Sequence, residues 1–169
     1  MLHYVLLALI ILTTTNKNCF CGNKVSFESC CQPIITGQVE AQTAEKLMRS
    51  RYSAYVIEDY AYILRTYAFE QRTDLTLNIL ADSAKDTRWL SLQVLKHLPN
   101  TTSAQVEFKA FYKIEQQYFV MHELSDFVMI DNIWLYTSGS ILKDSGVFQP
   151  QRNSRCLCGS GRKFKKCCG

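Results

Sequence analysis

The residues of this chain whose types and spacing could do chemistry are eight cysteines, which fall in two short blocks: Cys19, Cys21, Cys30 and Cys31, then Cys156, Cys158, Cys167 and Cys168. The 124 residues between the blocks contain none. Written out, CFCGNKVSFESCC and CLCGSGRKFKKCC share one pattern: C-x-C-G, seven more residues, then C-C. Each also carries a Phe, Phe27 or Phe164, three residues before the vicinal pair. Recurrence of four cysteines at one spacing implies a repeated structural unit.

That spacing suits a tetrahedral metal. Two cysteines two residues apart on an extended segment project from one face. The glycine that follows, Gly22 or Gly159, permits a tight turn and frees backbone N–H groups for thiolate sulfur. The vicinal pair then completes four sulfurs around Zn²⁺ at roughly 2.3 Å. The expectation is two zinc ions per chain, one in each knuckle, with the Phe as a lid. Two disulfides per block, a redox role, an iron–sulfur cluster or another soft metal are the alternatives. A direct Cys19–Cys21 or Cys30–Cys31 bridge is disfavoured by disulfide geometry. A secreted disulfide framework would spread its cysteines through the fold. A unit this small buries almost no apolar surface, so metal supplies its folding energy. With no cysteine in between, the middle of the chain is expected to keep its core when metal is removed.

Charge separates the two knuckles. From Arg152 to Lys166 there are six cations and no acid, against 13 cations and 15 acids elsewhere. The C-terminal loop carries Arg162, Lys163, Lys165 and Lys166, while the N-terminal loop offsets Lys24 with Glu28. A Zn(Cys)₄ centre carries −2, and nearby cations favour its thiolates. On charge alone the N-terminal site should lose metal first.

The block CLCGSGRKFKKCC resembles the SEC-C motif, the zinc-binding tail of the preprotein-translocase motor ATPase and of many bacterial proteins. With a second copy near the N-terminus and LMRSRYSAYV (Leu47 to Val56) after it, the chain from Cys19 to Gly169 resembles the YchJ family. That resemblance implies a nuclear-transport-factor-2-like middle domain, a cone in which a bent antiparallel sheet wraps around helices. It implies no particular activity. One departure is Asp126 in the run His122-Glu123-Leu124-Ser125-Asp126-Phe127, where the family carries Arg.

The middle domain reads independently as α+β. Ala44, Leu47, Met48, Tyr52, Tyr55 and Val56 form the stripe of an amphipathic helix over 44–57, with Thr43 as N-cap and Glu45 in its first turn. Further helices are expected over 59–67 and 74–85, the latter turning Leu75, Ile79 and Leu80 inward. After Trp89 the period becomes two. Strands follow from Leu90, over 104–114, 117–130 and 133–138, with breakers at Pro99-Asn100 and Asp131-Asn132. Three helices then four antiparallel strands is an α+β order. The units are an apolar extension over 1–18, a knuckle over 19–36, the middle domain over 41–148 and a knuckle over 152–169.

Candidate pocket residues are Arg49, Arg51, Glu123 and Ser125. Glu123, Ser125 and Phe127 alternate onto one strand face, and Glu123 is expected to pair with an arginine of the first helix. The rival reading is a buried carboxylate acting as a base. His122 points to the opposite face and is expected to be exposed. No catalytic residue is assigned.

Tyr4 to Leu12 is an apolar run of nine, short of the ~20 residues that span a bilayer. No Lys or Arg precedes it and no A-x-A-like site follows. A misassigned start is the expectation. An export signal and a membrane-touching segment are the alternatives, and no stable membrane insertion is expected.

The reading is a cytoplasmic, non-enzymatic zinc protein that docks through its C-terminal knuckle, where Arg162, Lys163, Lys165 and Lys166 suit an acidic target. A protein partner is favoured over the ribosome or another nucleic acid. The alternative is a small-molecule-binding or enzymatic middle domain, with the knuckles as scaffolding.

Overall fold

Thr43 starts the long helix as its sequence demands. The extended Thr43 backbone lets its hydroxyl accept from the Lys46 amide at 3.1 Å, satisfying a donor that the helix cannot. In the computed structural model, which describes residues 18–169, the chain runs through a 3-10 turn Phe27–Ser29, then α1 (Gln32–Ile35), α2 (Ala44–Val56), α3 (Tyr60–Arg65), α4 (Phe69–Arg72) and α5 (Leu77–Ala84). Five strands follow: β1 (Thr87–Pro99), β2 (Ser103–Ile114), β3 (Gln117–Ile130), β4 (Ile133–Ile141) and β5 (Gly146–Val147). A last 3-10 turn covers Phe164–Lys166. The apolar extension, including Tyr4 to Leu12, lies outside the described residues.

The sheet is antiparallel in the order β1-β2-β3-β4, with β5 continuing alongside β3 at Phe119 and Val120. Asp131 and Asn132 both take positive φ, the two-residue hairpin that Asp and Asn favour. Register shifts between Trp89 and Ser91, between Val94 and Lys96, and opposite Asp126/Phe127 bend the strands. Such bulges increase local twist, and the sheet curls around α2. Leu47, Met48, Tyr52 and Ala54 of α2 meet Leu92, Val106, Phe108, Ala110, Phe127 and Trp134 of the sheet in one core. This is the α+β, NTF2-like layout.

Three local expectations need correcting. The helix expected over 74–85 starts later, because Thr76 caps it by accepting from the Ile79 amide at 3.2 Å. Leu75 therefore lies before the helix, though half-buried against the core as expected, while Ile79 is turned outward at 49% exposure and Leu80 is buried. The short helices α1 and α4 and the strand β5 were not anticipated, each being too brief to show a period. The strand expected over 133–138 runs on to Ile141.

Candidate metal centres and the middle-domain cavity

The two cysteine blocks fold alike. Cys19 N donates to Val25 O at 2.7 Å, and Cys156 N to Arg162 O at 2.8 Å. Gly22 and Gly159 turn at φ +87° and +76°, a region open to glycine at no steric cost. A 3-10 turn beginning at the Phe then delivers the vicinal pair, Cys30 N bonding Phe27 O and Cys167 N bonding Phe164 O. The residue after each glycine reaches the third cysteine: Asn23 Nδ2 lies 3.3 Å from Cys30 Sγ, and Ser160 Oγ 3.2 Å from Cys167 Sγ.

Within each tetrad the four sulfurs lie within 4.8 Å of one another. Neighbouring sulfurs are 3.7 and 3.9 Å apart in the first, and 3.4, 3.4 and 3.8 Å apart in the second. These separations exceed a disulfide bond (~2.05 Å). They match the edge of a tetrahedron of ~2.3 Å metal–sulfur bonds, about 3.8 Å. The thiols also compete for protons. Hydrogen bonds from Cys21 and Cys31 pull the Cys19 thiol well down, while the hydrogen bond to Cys19 pushes Cys21 and Cys31 up. In the second tetrad burial resists ionisation of Cys158, but the Ser160 hydroxyl and amide outweigh it and the pKa falls to about 6. Four thiolates this close need a cation among them. Each tetrad could therefore hold one metal ion.

The surroundings of the two tetrads differ. Cys19, Cys21 and Cys31 are 3%, 0% and 1% exposed and belong to the hydrophobic core. Cys19 Sγ lies 3.8 Å from Ser53 Oγ on α2, and a Cβ on Gly22 would press on Leu92 O of β1 at 3.2 Å. Arg49 donates to Cys21 O at 2.8 Å while its Nε holds Glu45. The expectation of a knuckle independent of the core is thus overturned at the N-terminal end. In the second tetrad only Cys156 is buried and Cys168 is exposed. That tetrad touches the sheet through Tyr118, whose hydroxyl donates to Cys168 O at 2.9 Å and whose ring meets Phe164 edge-on at 5.4 Å. Arg162, Lys163, Lys165 and Lys166 are all exposed and form no ion pair among the described residues.

A cavity of about 240 Å³ lies between α2 and the sheet. Arg51, Glu123 and Ser125 line it, and Arg49 does not. Two residues apart on a helix, Arg49 and Arg51 face different sides. The expected Glu123–arginine ion pair is not formed. Glu123 Oε1 instead accepts from the Ser125 and Tyr136 hydroxyls. Arg51 stacks between the rings of Tyr67 and Tyr136, 4.4 and 4.5 Å from their centroids, and its Nη1 donates to Ile63 O and Thr66 Oγ1. Burial pushes the Tyr55 and Tyr136 hydroxyls up, so both stay protonated donors. Gly139, paired with Ser125 across the strands, leaves room for Glu123 where any Cβ would collide with it. His122 corrects another expectation: it is only 8% exposed, because the loop after β4 brings Asp144 to its Nδ1 while Glu107 faces its Nε2 at 3.0 Å. Tyr67, Trp89 and Tyr136 were missed as lining residues, since an aromatic in a strand or turn reads as ordinary core.

The family model described as the YchJ middle NTF2-like domain matches residues 43–139, and that of the SEC-C motif matches residues 152–169. A UPF0225 protein of Actinobacillus succinogenes is 40% identical, covering 89% of this chain and 96% of its own. Another from Geobacter sulfurreducens is 38% identical over 89% and 97%. The solution structure of a SEC-C motif containing protein from Rhodopseudomonas palustris superposes with a TM-score of 0.72 at 29% identity, over 75% of this chain and all of that one. The crystal structure of one from Psychrobacter arcticus gives 0.66 at 34%, over 90% and 95%.

Proposed function

This chain belongs to the YchJ family, and on that premise we propose that it is a zinc-binding docking protein without a catalytic role of its own. Zinc would be held by Cys19, Cys21, Cys30 and Cys31 and by Cys156, Cys158, Cys167 and Cys168, where it neutralises thiolates and closes each loop. The observation that carries the docking role is the exposure of four cations around the more open of two tetrads of identical spacing. None has a carboxylate partner among the described residues, and only Arg162 is turned back, onto Cys167 Sγ at 3.3 Å. Solvated cations on a fixed loop attract an acidic surface and set its register. A protein partner in the reducing cytoplasm is the favoured target.

The test compares the full chain with a variant in which Arg162, Lys163, Lys165 and Lys166 are all replaced by Glu. Both must first hold equal metal by elemental analysis. Pulldown from a bacterial lysate should recover a specific protein with the parent chain alone. Equal recovery by the variant refutes the role, and recovery of nucleic acid alone would move the target to that class.

A second reading is favoured by one observation. The cavity holds a buried cation, Arg51, that forms no ion pair among the described residues, which suits a small-molecule site with the knuckles as scaffolding.

A further inference from the structure

Arg51 is 7% exposed and lines the cavity, yet no carboxylate lies within ion-pair distance of it among the described residues. Buried charges are ordinarily paired, since desolvation costs several kcal/mol per ion. Only Nη1 is used by the protein; Nε and Nη2 donate to no acceptor among the described residues. Stacking on Tyr67 and Tyr136 holds the guanidinium in place but offers those N–H groups nothing to bond. Glu123 mirrors this. Its Oε1 takes the Ser125 and Tyr136 hydroxyls, while Oε2 accepts no hydrogen bond among the described residues. Tyr136 stands between the two charges, its ring on the guanidinium and its hydroxyl on the carboxylate. The cation and anion thus share Tyr136 as a neighbour without forming an ion pair, each with free capacity.

From this arrangement we infer that the cavity binds a small zwitterion, with its carboxylate on Arg51 and its amine on Glu123, which rests on the small-molecule reading. A ligand bearing only an anion would leave Glu123 buried beside a second negative charge. One bearing only a cation would meet Arg51. A zwitterion satisfies both groups without adding net charge to a low-dielectric site. The remaining walls are mostly apolar, with aromatic Tyr52, Trp89 and Phe108 beside Met48 and Met121, and suit an apolar body. At about 240 Å³ the space exceeds the ~150 Å³ cavity that accommodates benzene and suits a molecule of free amino-acid size.

Solution NMR of the full, metal-loaded chain tests the inference through the indole N–H of Trp89, which has no acceptor among the described residues. Trp134→Phe assigns the two indole signals. Each of the twenty free L-amino acids is titrated, and the best is compared with its decarboxylated amine and its deaminated acid. At least one amino acid should shift the Trp89 signal with saturation at millimolar concentration, and each truncated analogue should bind at least tenfold more weakly. Glu123→Gln should bring the acid-only analogue level with the amino acid, a change of preference that loss of folding would not produce. Arg51→Lys should weaken the amino acid tenfold or more. If the acid or the amine binds the parent chain as well as the amino acid, the zwitterion is wrong and the small-molecule site survives. If none of these molecules moves the Trp89 signal, both are wrong.

Discussion

The two cysteine tetrads carry the same ligands at the same spacing with the same backbone turns, and they stand in opposite relations to the rest of the molecule. The first packs against α2 and β1, with three of its four cysteines in the core and Cys30 half-buried against it. The second rests against the sheet through Tyr118, with Cys156 buried, Cys158 and Cys167 half-buried and Cys168 exposed. Ligand spacing determines what a site can bind. What its removal does to the protein is determined by the neighbours of the ligands. One copy is built as a structural element and the other as a displayed surface.

The largest expected effect follows from that contrast. Cys21→Ser would remove a fully buried member of the proposed metal site and loosen a loop that the core packs against. It should cost at least ~3 kcal/mol, from the lost ligand and disrupted packing, or about 10 °C of melting temperature at this chain length. Cys158→Ser should leave the middle domain within ~0.5 kcal/mol of the parent. Far-UV circular dichroism melts of the two variants decide it, and equal losses would break the comparison.

Metal release should come next. Charge favours retention at the C-terminal tetrad, but at an exposed site screening holds that preference to ~1 kcal/mol. Burial acts on access: Cys19, Cys21 and Cys31 are buried, so a chelator meets the first tetrad chiefly at the half-buried Cys30 until the core opens. The order expected from charge is therefore reversed: chelator should empty the C-terminal tetrad first. Native mass spectrometry over time, on variants retaining a single tetrad, reads the order directly. Earlier loss from the N-terminal tetrad would show that charge outweighs access.

The smallest effect lies at the joint leading to the displayed tetrad. Lys109, and then His122, hold the Asp144 carboxyl down at about 2 against an ordinary value of 3.8. A folded pKa below the unfolded one means stability fully present above about pH 4 and lost as pH falls through about 2. Over that window the Ser145 amide, next to the joint, should gain hydrogen-exchange rate in the parent chain and not in Asp144→Asn. Loosening confined to higher pH would assign the effect to another group.

The ligand sets, the helix at Thr43 and the long strands were legible because each rests on a local period or a fixed spacing. Alternation from Ala104 to Ile114 locates β2 without knowledge of its partners. What failed depends on a second segment. His122 is buried because a loop twenty residues later folds over it, and Ile79 is exposed because a cap at Thr76 shortens the helix. Arg49 and Arg51 were grouped although helical geometry separates them, one serving the tetrad and the other the cavity. The Glu123 ion pair was a reasonable expectation from charge, and the Tyr67–Tyr136 stack displaced it.

The contact between Gly22 and the carbonyl of Leu92 also orders events in time. The first cysteine block leaves the ribosome early, but β1, which closes over it, is made some seventy residues later. An ion captured by the nascent loop is enclosed when that strand arrives. Thereafter only the half-buried Cys30 would offer a way in from the surface, and full release would wait on opening of the domain, which for small domains takes from under a second to days. Once loaded, the first tetrad would then reflect metal supply at the moment of synthesis, whereas the more open second one would follow the supply of the present.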